Sequence, residues 1–221
     1  DNMGLSVGVI TNGAIISASD AVSLVKHAEW VRISLDAATA EVFARTHGLT
    51  TDRFEKVLES IRMLSQIWPR RAAVGVGILT DKETRDQIVP AAALIKALGA
   101  DYVQYRPYNH DRTDVTPEIR KAQSEYADGG FSVCASWAKY ELMKTTWQKP
   151  YTTCRMHHFG TVITAEAHMH FCCDLRGSDG YIGELRKSSV RELWAGSKRE
   201  QVSCGIDLAK CPPFCRGNAI N

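Results

Sequence analysis

The stretch WVRISLDA at residues 30–37 decides the fold class of this chain. Its first six residues are predicted to form a β-strand, on which every second residue faces the same side. Similar short apolar runs occupy residues 5–10, 72–79, 102–106 and 131–135. Amphipathic helical patterns separate these runs, which is typical of βα units that build a parallel sheet. We therefore predict an α/β fold for this part of the chain.

Four helices are predicted between these strands. Ser19 or Asp20 is expected to cap the first helix, and the second is expected to end before Pro69. Pro90 is expected to interrupt the third helix, and the segment around His47 is expected to be a loop. The predicted helices span residues 20–29, 51–68, 91–98 and 116–128.

The composition limits the function classes that need consideration. The 221 residues are 44% hydrophobic and 24% charged, which describes a globular chain of one or two domains and excludes disorder. Lys and Arg number 27 against 25 Asp and Glu, without a basic run, so no nucleic acid partner is expected. No apolar stretch approaches the roughly 18 residues of a membrane span, and no signal peptide is recognisable. We expect a cytoplasmic protein without a membrane partner, and the start at Asp1 suggests a fragment or a processed product.

Six of the seven cysteines fall between residues 154 and 215. The seven are Cys134, Cys154, Cys172, Cys173, Cys204, Cys211 and Cys215. An odd number without a secretory signal argues against a disulfide framework and favours a metal site. Near residues 147–150 the βα alternation gives way to closely spaced Cys and His. We therefore predict two domains, residues 1–147 and residues 148–221.

The tail CPPFC at residues 211–215 carries two thiols that could turn toward one metal centre. Cys154 and either Cys172 or Cys173 could complete a set of four ligands. The nearby histidines give weak support for zinc. The residue chemistry alone leaves zinc and iron–sulfur equally open, with buried free thiols as a further alternative. A hairpin is predicted from residues 161–165 and 168–172. A short helix is predicted at 188–194, with Ser188 as its cap and Val190, Leu193 and Trp194 on its buried side.

Polar side chains at the carboxyl ends of parallel strands are candidates for ligand binding. They are Thr11, Asn12, Ser34, Asp36, Gln104, Arg106 and Tyr108. Ser34 and Asp36 would share a strand face, where Asp36 could accept hydrogen bonds from a ribose or an amine. Asn12 could equally serve only the Asn-Gly turn, and Arg106 could clamp a carboxylate or pair with a surface acid.

Several of these stretches resemble radical S-adenosylmethionine (radical SAM) enzymes. WVRISLDA followed by His47-Gly48 resembles the fourth barrel strand and loop of that family, and the turn ITNG at residues 10–13 resembles its third strand. GVGI at 75–78 and VQYRP at 103–107 are similar to the fifth and sixth strands. The C-terminal part resembles the SPASM extension through Cys154, a strand pair, Cys172, YIGEL at 181–185, a helix at 190–194 and CPPFCR at 211–216.

The resemblance implies a partial (β/α) TIM-like barrel, with strands equivalent to the later four of six, followed by a small Cys-rich SPASM-like domain. It implies a 5′-deoxyadenosyl radical that abstracts hydrogen from a peptide, a protein or a small molecule, and it implies a reducing electron donor. Ser34 and Asp36, with Thr11 and Asn12 on the preceding strand end, match residues near S-adenosylmethionine. Gln104 and Arg106 match the strand near adenine and substrate. Cys154, Cys172, Cys211 and Cys215 match the ligands of an auxiliary [4Fe–4S] cluster, with Cys173 and Cys204 as substitutes.

The sequence also departs from the family pattern. No CxxxCxxC motif occurs in the 221 residues, and Glu166-Ala167 stands where the family has Asp-Gly. Either about two βα units precede Asp1 in a longer protein, or the chain is a degenerate homologue that does not cleave S-adenosylmethionine. The chain by itself is expected not to cleave S-adenosylmethionine. The competing hypotheses are a non-catalytic binding or assembly domain with a structural metal, and a plain zinc-binding α/β protein.

Overall fold

A computed structural model of the chain describes residues 4–108, 111–144, 149–177, 179–212, 215, 217, 218 and 220. The chain divides into two compact units, Asp1–Lys144 and Thr145–Asn221, which we call the first and second units. The predicted domain boundary between residues 147 and 148 lies outside the described residues.

The first unit contains an all-parallel sheet of five strands in the order β1-β2-β3-β4-β5. All five predicted strands and the α/β class are confirmed. The strands are β1 Gly8–Thr11, β2 Trp30–Ser34, β3 Ala73–Thr80, β4 Tyr102–Pro107 and β5 Ser132–Ala135. The helices are α1 Ala18–His27, α2 Ala40–His47, α3 Asp52–Gln66, α4 Ile88–Ala97, α5 Thr116–Tyr126 and α6 Trp137–Met143.

The two faces of this sheet differ in burial. Ile33 and Val76 on one face are fully buried in a core that also includes Ile61 of α3 and Ile95 of α4. Each such side chain contributes about 1.5–3 kcal/mol when it leaves water, so this face holds the sheet and helices together. The opposite face, which we call the open face, carries Trp30, Arg32, Ser34, Gly75, Gly77, Tyr102, Gln104 and Arg106. Its side chains are only partly buried, so it is the face that a ligand can reach.

Three helix predictions need correction. The cap of α1 is Ser17 rather than Ser19 or Asp20, because Ser17 is extended and Asp20 closes a capping box with it. Pro90 lies in the first turn of α4 and does not interrupt it, since the first turn does not need its N–H group. The expected loop before residue 47 is helix α2, which begins after Thr39 and ends at Gly48 with a φ of 64°. Helix α6 was not predicted either.

The second unit contains a three-stranded antiparallel sheet in the order β6-β7-β8. The predicted hairpin is confirmed, because Val162 and Ile163 pair with His170 and Met169. The elements are β6 Val162–Ile163, β7 His168–His170, β8 Tyr181–Glu184, α7 Val190–Ala195 and α8 Ser197–Cys204. Its buried apolar core consists of Met169, Phe171 and Ile182.

The short helix predicted at residues 188–194 exists, but its cap is Ser189 rather than Ser188, in a capping box with Glu192. Val190 is 47% exposed, so its expected burial is wrong. It occupies the first helical position after Ser189, while Leu193, one turn further on, packs against the core. No helix among the described residues has the length and apolar character needed to span a membrane.

Candidate functional site

The carboxyl ends of the parallel strands meet at one edge of the sheet, where ligands of open α/β folds bind. At the end of β1, Thr11 Oγ1 accepts a hydrogen bond from Gly13 N at 3.2 Å. Asn12 Oδ1 accepts one from Ala14 N at 3.1 Å. The side-chain oxygen of Asn12 therefore serves the turn, as its alternative interpretation predicted. Ser60 of α3 donates to Gly13 O at 2.7 Å and holds this turn against the helix.

Asp36 follows β2 in a left-handed conformation with a φ of 58°, which is uncommon for a residue other than glycine. The alternation of the strand therefore ends at Ser34 and does not extend to Asp36. Asp36 Oδ1 accepts a hydrogen bond from Leu79 N at 2.6 Å, and Oδ2 lies 3.8 Å from His47 Nε2. Burial raises the pKa of Asp36, against the opposing effects of the Leu79 N–H group, His47 and Arg106. A strained, buried carboxyl at a strand end is a typical feature of ligand sites.

A pocket of about 330 Å³ lies beside Asp36, and its walls include Arg45, His47 and Tyr108. His47 Nε2 lies 3.2 Å from the backbone oxygen of Leu35, which orients the imidazole toward this strand end. Arg45 and His47 belong to helix α2, so the sequence analysis did not count them among the site residues. A Thr and a Gly nine residues apart, at positions 39 and 48, were the available sign of that helix.

The open face brings Arg32, Gln104 and Arg106 together. Arg32 Nη1 donates a hydrogen bond to Gln104 Oε1. The Arg32 guanidinium also lies 5.5 Å from the centre of the Trp30 ring. Gln104 lies beside Gly77 in the ladder, and Gly77 lies beside Ser34, so these predicted residues share one level of the sheet. The sequence analysis missed Arg32, although strand alternation from Ser34 places it on the same face.

In the second unit, three of the four predicted thiol ligands influence one another. Burial raises the pKa of Cys215, and the negative charges of Asp174, Cys211 and Cys154 add to that rise. Burial also raises the pKa of Cys211, where Lys149 opposes the rise and Cys154 adds to it. Cys154, Cys211 and Cys215 therefore lie within electrostatic range of one another.

The fourth predicted ligand, Cys172, lies with Cys173 and Cys215 in the wall of a pocket of about 210 Å³. Burial raises the pKa of Cys172, and backbone N–H groups of Leu175 and Asp174 that bond to its sulfur oppose that rise. Gly217 N similarly donates to Cys215 Sγ at 3.3 Å. Such N–H···S bonds stabilise the thiolate form that metals require. Both Cys172 and Cys173 face this pocket, so the choice between them stays open.

These thiols do not form a finished metal site. Among the residues that the structure describes, no group of three or more His, Cys, Asp or Glu side chains is close enough to hold a metal ion. The donor chemistry fits an iron–sulfur cluster, because such clusters bind through Cys thiolates that accept N–H···S bonds. Cys204 is exposed at the end of α8, and Cys134 is exposed on β5.

The histidines of the second unit are engaged in packing. His157 is buried and stacked on Phe171 at 4.6 Å between ring centres. Its Nδ1 accepts a hydrogen bond from Arg199 Nη2 at 3.1 Å, so its Nε2–H is available to Ser203 Oγ at 3.2 Å. Burial, His158 and Arg199 lower the pKa of His157 to about 4. His170 is also buried, with Gly177 N donating to its Nδ1 at 3.4 Å. These contacts weaken the case for zinc.

The fold resembles known structures, although no protein-family model and no curated protein matches the chain. SuiB from Streptococcus suis matches with a TM-score of 0.68 and 12% identity over 99% of this chain. The complex of SuiB with the precursor peptide SuiA matches with a TM-score of 0.66 and 11% identity, over 98% of this chain and 55% of SuiB. anSMEcpe with bound AdoMet (S-adenosylmethionine) and the Cp18Cys peptide matches with a TM-score of 0.61 and 16% identity, over 98% of this chain and 69% of anSMEcpe. The chain spans 58% of the length of SuiB, and identities this low establish a shared fold alone.

Proposed function

We propose that this chain is part of a radical SAM enzyme that acts on a peptide. The observation that carries this proposal is the likeness in fold to SuiB and anSMEcpe, which extends over 98–99% of the chain and therefore includes both units. Structures of those proteins hold AdoMet or a precursor peptide. In this proposal the first unit is a partial (β/α) barrel equivalent to the later strands of six, and the second is a SPASM-like domain.

S-adenosylmethionine would lie at the carboxyl ends of β1, β2 and β4. Ser34 and Asp36 would contact its ribose and amino acid, with Thr11 and Asn12 beside them. Asp36 Oδ1 is committed to Leu79 N, so Oδ2 is the oxygen that we assign to the ligand. Gln104 and Arg106 would lie near the adenine and the substrate. When bound, S-adenosylmethionine supplies the chemistry of hydrogen abstraction, and the protein supplies orientation and the exclusion of water.

Cys154, Cys172, Cys211 and Cys215 would hold an auxiliary [4Fe–4S] cluster, with Cys173 or Cys204 as substitutes. The electrostatic coupling of three of these thiols and the N–H···S bonds to Cys172 and Cys215 support this assignment. The engagement of His157 and His170 within the protein favours iron–sulfur over zinc. A reducing partner would supply electrons to the complete enzyme.

A second candidate function is a binding or assembly domain that keeps the fold and a structural Fe–S or Zn site without catalysis. This candidate requires no CxxxCxxC motif, and none occurs in the 221 residues. The two candidates differ in one measurable property, because only the enzyme requires S-adenosylmethionine to bind at the strand ends of the first unit.

Metal analysis tests whether the second unit holds an iron–sulfur cluster or zinc. Iron, acid-labile sulfide and zinc are measured per chain after anaerobic purification and reconstitution. About four iron and four sulfide support the auxiliary cluster. About one zinc without sulfide would instead indicate a structural zinc module.

Equilibrium dialysis with labelled S-adenosylmethionine tests whether the first unit binds this ligand at Asp36. We expect Asp36→Ala to weaken binding by about tenfold or more, because it removes a hydrogen-bond acceptor with a charge. Asp52→Ala is the matched control, since Asp52 is exposed at the start of α3. Circular dichroism verifies that both variants fold. Equal binding by the two variants would rule out the assigned site, and no binding by the unmodified chain would favour the second candidate.

A further inference from the structure

On the open face, glycines lie beneath the large side chains of neighbouring strands. A Cβ atom at Gly8 would overlap the ring of Trp30, and one at Gly75 would overlap the ring of Tyr102. Both rings therefore lie across the glycine of a neighbouring strand instead of standing upright. The result is two flat aromatic surfaces, one over β1 and one over β3, on the amino-terminal side of Gly77.

Two guanidinium groups converge at that centre. A Cβ atom at Gly77 would lie 3.4 Å from Arg106 Nη2 and 3.5 Å from Arg32 Nε. Arg32 and Arg106 approach this point from β2 and β4, the two neighbours of β3. A Cβ atom at position 77 would make van der Waals contact with both arginines, so glycine leaves this space open to a ligand that both can face.

Among the described residues, no acid balances the charge of Arg32. No described residue forms an ion pair with it, and its Nη1 is bonded to the neutral amide of Gln104. Its Nε is buried without a hydrogen-bond partner in the described part of the chain. Leaving a partly buried guanidinium N–H group unbonded costs free energy, and the positive charge of Arg106, which also acts on Asp36, adds repulsion at this point. An anion between Arg32 and Arg106 would offset both costs.

A carboxylate fits this arrangement. Arginine forks bind the two oxygens of a carboxylate through parallel hydrogen bonds. Arg32 lies two residues before Ser34, toward the amino end of β2, and is thus separate from the strand-end residues that we assign to S-adenosylmethionine, whereas Arg106 borders the region that we assign to the adenine and the substrate. The aromatic surfaces of Trp30 and Tyr102, on the amino-terminal side of Gly77, suit the peptide that carries the carboxylate.

We propose that Arg32 and Arg106 form a receptor for a carboxylate of the peptide substrate, either an acidic side chain or a C-terminus. This inference rests on the proposed function for the identity of the substrate as a peptide. Gln104 is a positioning residue in this receptor, because it holds the Arg32 guanidinium through Nη1.

NMR titration of the folded chain tests the proposal with small probes. The probes are N-acetylglutamate methylamide, its glutamine analogue, N-acetylalanine with a free C-terminus, and inorganic phosphate. We expect the glutamate probe or the free C-terminus to bind about tenfold or more tightly than the glutamine analogue, and the tighter of the two identifies the source of the carboxylate. Arg32→Gln should reduce that binding by about tenfold, whereas Arg53→Gln, at an exposed arginine of α3, should not.

A second variant covers the possibility that Arg32→Gln does not fold. Arg32→Lys keeps the positive charge but loses the planar guanidinium that donates two parallel hydrogen bonds. This variant should lose part of the affinity for the carboxylate probe. Equal binding of the charged and neutral probes, or equal losses from Arg32→Lys and Arg53→Gln, would overturn the receptor. Tighter binding of phosphate than of either carboxylate would overturn the assignment to a carboxylate.

Binding of S-adenosylmethionine to the unmodified chain separates this inference from the proposed function. If S-adenosylmethionine binds and neither carboxylate probe does, the receptor fails while the proposed function stands. If a carboxylate probe binds through Arg32 and S-adenosylmethionine does not, the anion receptor stands and the enzyme proposal fails.

Discussion

The first and second units differ in how much apolar side chain they bury. The core of the first unit runs along one entire face of a five-stranded sheet and includes residues from helices α1 to α5. The buried core of the second unit consists of Met169, Phe171 and Ile182, with a few partly buried neighbours. Small domains with little apolar burial usually need a metal or disulfides. The partly buried thiols of the second unit are suited to that task, whereas the first unit requires no such support.

Removal of one thiol ligand should have the largest effect. Cys211→Ala should abolish most of the visible cluster absorbance and the cooperative unfolding of the second unit, because a structural metal can supply about 10 kcal/mol in a small domain. Cys134→Ala is the matched control, since Cys134 is exposed on β5 of the first unit. Absorbance, sulfide content and thermal unfolding are measured on both variants after reconstitution. Equal losses would show that the ligands are assigned incorrectly.

A core substitution in the first unit should have the next largest effect. Ile33→Ala should lower the free energy of unfolding of this unit by about 2–5 kcal/mol, because Ile33 is fully buried and the change leaves a cavity. The iron content should not change, since the proposed cluster ligands all belong to the second unit. Ile10→Ala removes an isoleucine that is 53% exposed and should cost far less. Urea unfolding measures the free energy of unfolding of both variants. Similar losses from Ile33→Ala and Ile10→Ala would contradict the division of the sheet into a buried and an open face.

Two carboxylates of the first unit should give opposite pH dependences. Burial acts to raise the pKa of Asp101 and is the largest single effect. Hydrogen bonds from Arg70 and the Val74 N–H group together outweigh it, so the pKa of Asp101 is lowered. Its stabilising contribution is therefore present above the ordinary Asp pKa of about 4 and is lost as the pH falls through its lowered value. Asp101→Asn should cost about 2 kcal/mol or less at neutral pH, since the pair is partly exposed to solvent.

Asp36 should behave in the opposite way. Burial raises its pKa, so its contribution to stability is largest below the ordinary Asp pKa and falls as the pH rises through the raised value. Asp36→Asn should therefore increase stability at neutral pH, because an amide oxygen can still accept from Leu79 N without a buried charge. Urea unfolding at several pH values measures both variants. A loss of stability in Asp36→Asn would mean that the carboxylate is structural rather than a ligand group.

The smallest effects should come from two left-handed backbone positions. Ala167 has a φ of 65° in the hairpin of the second unit, so Ala167→Gly should stabilise that unit by about 1 kcal/mol or less. Gly48 has a φ of 64° at the end of α2 with no atom near its missing Cβ, so Gly48→Ala should destabilise the first unit by about 1 kcal/mol. Thermal unfolding compares the two variants. Shifts of the same sign would contradict this account.

The elements that sequence reasoning predicted well are those with a strong local pattern. The five strands have runs of buried residues, and α3 repeats apolar residues at helical spacing over fifteen residues. Helix α2 was missed because it has only 8 residues, so its apolar pattern repeats over little more than about two turns. The cap of α1 was displaced by two residues, since Ser17 and Ser19 are equally good caps until the backbone of one becomes extended.

For the candidate sites, too, the features with a local sequence pattern were predictable, and the contacts between distant parts of the chain were not. The sequence alone determined the α/β alternation and the concentration of thiols after residue 154, because both are properties of residue order and spacing. Only the tertiary structure decided that Arg32 and Arg106 converge above Gly77, and that Asp36 turns out of its strand toward Leu79 N. Those contacts depend on the register between strands that lie far apart in the chain. Register is set by packing of the buried face, which no local pattern specifies.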